Sequence, residues 1–246
     1  MGVSSFKAIF LSSSYKILSS GDSAITVDFG NVIDEKINQL VLGLFHHWQQ
    51  QHMPGVKDII PAYSSLTIVY DAVSIRKQTG VHSAFTFMKD QLKISIKNLR
   101  RKKEVPVVRE IPVCYDGSLG IDLEILSDEK KLPASEIIQL HSNKIYRVYM
   151  IGFLPGFAYL GKVDEQISTS RKANPRTLVP AGSVGIAGSQ TGIYPFDSPG
   201  GWNIIGQTPL RMFDARQNDP SLLHAGDHVK FIPVTLKEFH QFKKNS

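Results

Sequence analysis

The stretch NPRTLVPAGSVGIAGSQTGIYP (174–195) sets four glycines and three prolines among Leu, Val, Ile and Tyr. Glycine and proline punctuate a chain into turns, while β-branched and aromatic residues favour strands. Short strands joined by tight turns and structured loops are therefore expected. The texture extends outward on both sides: residues 151–210 hold 10 of the 19 glycines and 6 of the 13 prolines. Disorder would produce similar punctuation, but the threaded apolar residues supply a core, as in a β-barrel. Upstream of this region, Val107–Tyr115 and Tyr146–Ile151 are predicted as strands and Pro133–His141 as a helix.

The first hundred residues have a different texture. Tyr15–Ser19 and Ala24–Phe29 flank Gly21-Asp22, a hairpin signal. Asp34 can cap a helix whose apolar residues fall at Ile37, Leu40, Val41, Leu44, Phe45 and Trp48, a one-sided stripe. Val56–Pro61 and Leu66–Tyr70 follow as strands. A second stripe runs through Val81, Ala84, Phe85, Met88, Leu92, Ile96 and Leu99. This order predicts an α+β domain with helices on one sheet face, ferredoxin-like in style. The expected junction is Glu104-Val105-Pro106, giving domains 1–105 and 106–246.

With 246 residues, 42% hydrophobic and 20% charged, the chain has the composition of a core-forming globular protein. Its apolar runs are far shorter than the ~20 residues a membrane-spanning helix needs. Met1–Ser20 lacks the apolar core of a secretory signal, so the cytoplasm is expected. A single cysteine, Cys114, excludes an intramolecular disulfide and reads as a small buried hydrophobe. Of the net +6, residues 1–105 contribute +5 and residues 106–246 contribute +1. Much of the excess lies in KNLRRKK (97–103). Without interleaved aromatics it reads as a solvated helix end, and no nucleic-acid partner is expected.

Several chemistries are struck out by motif. There is no GxxxxGK[ST] phosphate loop and no GxSxG elbow, and the glycines of 182–192 do not space as GxGxxG. His224 and His228 flank a Gly226-Asp227 turn, so no metal site is expected there. What remains is a polar set among the glycine loops. Arg171 and Arg176, around Asn174-Pro175, could grip a carboxylate or phosphate. Gln190, Thr191 and Tyr194 supply neutral donors and acceptors, and Gly201-Trp202 an aromatic wall. Nearby glycines would let a ligand approach backbone N–H groups. His141, at a helix end, could shuttle protons near pH 7.

GFLPGFAYLG (152–161), NPRTLVPAGSVGIAGSQTGIYP (174–195), SPGGWNIIGQTPLRMFD (198–214) and GDHVKFIPV (226–234) closely resemble the allophanate hydrolase subunit 1 family. This is also described as the carboxyltransferase C/D subdomain family. GDSAITVDFG (21–30) and IIPAYSSLTIVYD (59–71) agree more loosely. The sequence departs from the family pattern at Lys162, Ser170 and Ser189, none of which removes a polar candidate. The resemblance implies an α/β N-terminal domain followed by a cyclophilin-like β-barrel. It further implies a subunit of an ATP-dependent 5-oxoprolinase that hydrolyses 5-oxo-L-proline to L-glutamate, inactive alone. Its partners would be a companion carboxyltransferase-like subunit and a lactam-utilisation barrel subunit, with ATP bound by the complex. The alternatives it offers are a binding protein that inhibits a sporulation-type histidine kinase and a role in allophanate or urea metabolism.

Overall fold

In the computed structural model, which describes residues 14–99 and 108–244, the Gly21-Asp22 turn joins two antiparallel strands, β1 (Lys16–Ser19) and β2 (Ala24–Asp28). Helix α1 (Glu35–Gln51) starts where the Asp34 carboxylate accepts the Ile37 N–H at 3.0 Å. Its stripe buries Leu40, Val41, Leu44 and Trp48. Strands β3 (Val56–Pro61) and β4 (Ser65–Tyr70) complete a four-stranded antiparallel sheet in the order β1-β2-β4-β3. Along β2 and β4 the side chains alternate, so Ile25, Val27, Leu66, Ile68 and Tyr70 form one buried face. On the other face the Thr26 and Thr67 hydroxyls hydrogen-bond across the strands at 2.8 Å.

Two helices close this unit. Helix α2 (Ala72–Thr79) has no counterpart in the periodicity, although Asp71 caps it and Gly80 ends it at φ 71°. Helix α3 (Ala84–Asn98) carries the second expected stripe, burying Met88, Leu92 and Ile96 against the sheet. The sheet order β1-β2-β4-β3 places the chain's first strand at one edge, beside β2. By contact, the chain divides into Met1–Val105 and Pro106–Ser246. The Glu104–Pro106 junction and most of the basic run, from Arg100 onward, lie outside the described residues.

The second unit contains β5 (Val108–Cys114), α4 (Leu123–Lys130), α5 (Ala134–Ser142), β6 (Ile145–Ile151) and β7 (Ala158–Gly161). Then come β8 (Arg176–Val179), β9 (Ser183–Ala187), β10 (Gln190–Ile193), β11 (Ser198–Gly200), β12 (Asn203–Gln207), β13 (His228–Val234) and α6 (Leu236–Lys244). Seven strands close a barrel in the order β10-β7-β6-β13-β5-β12-β9. Only β13 and β5 run parallel among its named pairs. Closure gives each barrel strand a neighbour on both sides. Val113, Val148, Leu160, Ile186, Ile193 and Phe231 fill the interior. Cys114 is free and buried in its strand. Strands β8 and β11 pair with each other as a separate ribbon.

Candidate functional site

Alternation along β10 splits the sequence candidates between two faces. Thr191 and Ile193 point into the barrel, while Gln190, Gly192 and Tyr194 face outward. The inward Thr191 hydroxyl donates to the Gly185 carbonyl at 3.1 Å, which leaves its oxygen to accept from His141 Nε2 at 2.9 Å. That fixes the proton on Nε2, so Nδ1 accepts from the Tyr115 hydroxyl at 2.8 Å. The imidazole also stacks on Phe231 at 4.6 Å between centroids. Burial pushes its pKa down to about 3. This departs from the expected proton shuttle: a ring sealed in the core and neutral at pH 7 has no route to a substrate, so His141 and Thr191 are core hydrogen-bonding groups.

The outward face carries an aromatic cluster of Phe157, Tyr194 and Trp202, edged by Tyr159. Phe157 meets Trp202 and Tyr194 edge-on at 5.5 and 5.1 Å. The glycines here serve those rings. A Cβ on Gly192 would meet Trp202 at 2.9 Å and the Ala158 carbonyl at 3.0 Å, and one on Gly185 would meet Trp202 at 3.0 Å. At Gly192 the close approach is thus required by packing rather than by ligand access, whereas a Cβ on Gly188, the other glycine the sequence singled out, would stand in open space. Burial raises the Tyr194 pKa, opposed by a hydrogen bond with the Trp202 backbone and the nearby Arg171 charge. Arg171 lies over the Trp202 ring at 5.9 Å. Gly201 borders Pro175 and Lys172.

The two arginines do not act as one clamp, because Arg176 is committed elsewhere. Its Nη1 and Nη2 donate to Asp122 Oδ2 and Oδ1 at 2.8 and 2.6 Å. Lys172 Nζ adds a 2.8 Å ion pair, and the Ile204 N–H donates to Oδ2 at 2.7 Å. Burial alone would raise the pKa of this carboxyl, only 1% exposed, but the donors from Arg176, Lys172 and Ile204 hold it below its usual value. Asp122 begins α4 yet makes no side-chain cap there. Its carboxylate turns instead to the 172–176 loop. Asp122 and Lys172 were not legible from the sequence, since neither sits in a motif and their partners are distant in the chain.

Among the described residues there is no His, Cys, Asp and Glu grouping that could hold a metal. Likewise among them, no helix is long and apolar enough to cross a membrane. A separate open groove of about 720 Å³ runs along Pro133, Ser135, Gln139 and Asp164 and includes none of the sequence candidates.

The model for the carboxyltransferase domain, subdomain C and D, matches residues 15–223. The chain belongs to this family. Within it, the chain is 43% identical to a 5-oxoprolinase subunit from Bacillus subtilis, over 94% of this chain and 98% of that protein. A conserved uncharacterized protein from Pyrococcus horikoshii is 42% identical, covering 91% of this chain and 100% of its own, with a TM-score of 0.52. K. lactis urea amidolyase shares the fold at 20% identity and TM-score 0.74; the match covers 96% of this chain but 16% of that one.

Proposed function

We propose that this chain is one subunit of an ATP-dependent 5-oxoprolinase that hydrolyses 5-oxo-L-proline to L-glutamate. The near end-to-end likeness to the Bacillus subtilis 5-oxoprolinase component carries the reading. Opening an unactivated lactam is uphill; phosphorylation of the amide oxygen by ATP turns that oxygen into a leaving group. Water adds to the activated carbon, and the ring C–N bond breaks as the departing nitrogen takes up a proton. The acyl phosphate so formed is hydrolysed by a second water, so the products are glutamate, ADP and phosphate. Such chemistry needs cationic groups for the carboxylate and phosphoryl oxygens. The Arg171, Lys172 and Arg176 cluster is of that type. The chain's sequence has no phosphate loop, so ATP is assigned to the complex. The partners are a companion carboxyltransferase-like subunit and a lactam-utilisation barrel subunit, working in the cytoplasm. To the same reading belong a cyclophilin-like description of the barrel and a ferredoxin-like one of the N-terminal domain. The likeness to urea amidolyase carries fold alone.

Deleting the gene tests the reading. 5-Oxoproline should accumulate, growth on it as nitrogen source should stop, and a plasmid copy should restore both. Unchanged 5-oxoproline turnover in the deletion strain would overturn the proposal.

A further inference from the structure

The loop that bears the basic candidates is pinned on both sides of Arg171. Asn203 Nδ2 donates to the Ser170 carbonyl at 2.8 Å. The Lys172 N–H donates to the Gly201 carbonyl at 2.7 Å. The guanidinium therefore leaves a fixed backbone and lies over the buried face of Trp202, which is 4% exposed. Among the described residues it makes no hydrogen bond and no ion pair. The two carboxylates that meet this loop are already occupied. Asp122 is held by Arg176, Lys172 and the Ile204 N–H, and Glu129 by Lys130 at 2.9 Å and the Thr169 hydroxyl at 3.1 Å. Lys172 and Arg176 both meet the single Asp122 carboxylate, and Arg171 adds a further positive charge to the same loop.

We infer that Arg171, with Lys172 beside it, receives the oxyanion of a small molecule. A guanidinium lying over an aromatic ring keeps its N–H edge free, and that planar fork matches the two oxygens of a carboxylate or phosphoryl group. An ammonium has three donors, so Lys172 can keep Asp122 and still reach a ligand. Arg176 is then a positioning residue: it anchors the loop through Asp122 and does not touch the ligand. The choice of oxyanion rests on the oxoprolinase reading, which names the carboxylate of 5-oxo-L-proline.

Calorimetric titration of the full chain tests this without any partner. The ligands are 5-oxo-L-proline, inorganic phosphate and 2-pyrrolidinone, which has the same lactam ring without a carboxylate. The wild-type chain should bind 5-oxo-L-proline and not 2-pyrrolidinone. Arg171→Ala should weaken binding about ten- to a hundred-fold, the loss of a charge-assisted bond. Arg171→Lys should recover little, and thermal melts of both variants should match wild type because the side chain is at the surface. Arg171-dependent binding of phosphate in place of 5-oxo-L-proline would support the oxyanion site and reject the carboxylate as its occupant. No binding of either ligand, or binding indifferent to Arg171→Ala, would overturn the inference. A chain that binds at Arg171 yet yields no glutamate with its partners would refute the oxoprolinase reading and leave the site standing.

Discussion

Arg176 holds both carboxylate oxygens of Asp122, 54 positions earlier in the chain, through Nη1 at 2.8 Å and Nη2 at 2.6 Å. The Asp122 N–H donates to the Ile204 carbonyl at 2.8 Å while the Ile204 N–H returns a bond to Asp122 Oδ2. One carboxylate thus ties the start of α4, the edge of β12 and the 172–176 loop together. An arginine that resembles a ligand clamp in sequence acts as an internal anchor.

Arg176→Ala should therefore act on stability before it acts on any ligand. Removing one partner of a buried pair leaves a charge uncompensated, at a cost of about 3–5 kcal/mol. Lys172 stays on Asp122, so the low end applies, roughly a 5–10 °C fall in Tm. Arg176→Lys should recover part of the loss. A thermal melt of Arg176→Ala superimposing on wild type would show that the anchor carries no load.

The buried neutral His141 predicts a pH dependence with a definite sign. Its pKa is about 3 in the folded chain, against 6.5 when exposed. Between those values the unfolded state binds the extra proton, so stability falls as pH drops below about 6.5, by up to ~1.4 kcal/mol per pH unit. Above that the contribution is flat. Asp122 has a lowered folded pKa, so its contribution is present above its unfolded value near 4 and lost only as pH falls below it. Urea unfolding between pH 5 and 7 isolates the histidine. His141→Gln should flatten the slope there; an unchanged slope would place the titrating group elsewhere.

Thr191→Val should destabilise the barrel by about 1–3 kcal/mol, because His141 Nε2–H loses its acceptor in a dry interior. Thr191→Ser keeps the oxygen and should return most of that stability. Chemical denaturation of the three proteins gives the comparison. Equal midpoints for Val and wild type would remove Thr191 from the core network.

Gly192→Ala places a methyl 2.9 Å from Trp202 and 3.0 Å from the Ala158 carbonyl. Strand backbone cannot yield easily, so overpacking of about 1–3 kcal/mol is expected, with a shift in the Trp202 environment. Near-ultraviolet circular dichroism and melts report both. A neutral outcome would mean the aromatic cluster is loosely packed.

The fold was legible where local chemistry and period agreed. Asp34 before the Leu40–Trp48 stripe predicted α1, and the glycine-spaced Val and Ile of 183–193 predicted short barrel strands. Helices α2, α4 and α6 escaped, being eight or nine residues long with one or two buried side chains each. The candidate site was legible as residue types and not as partnerships. Nothing local to Arg176 reveals that Asp122 waits 54 residues upstream, or that Gln190 and Thr191, adjacent in sequence, face opposite sides of one strand. Burial of His141 is likewise a property of the closed barrel, not of helix α5, whose sequence places it near a polar end.

The most direct measurement is reconstitution: ATP-dependent release of L-glutamate from 5-oxo-L-proline by this chain alone, by its two companion proteins, and by all three together. Release, with matching ADP, is expected only from the complete mixture. Full activity from the companions without this chain, or appreciable release by this chain alone, would contradict its place in the complex.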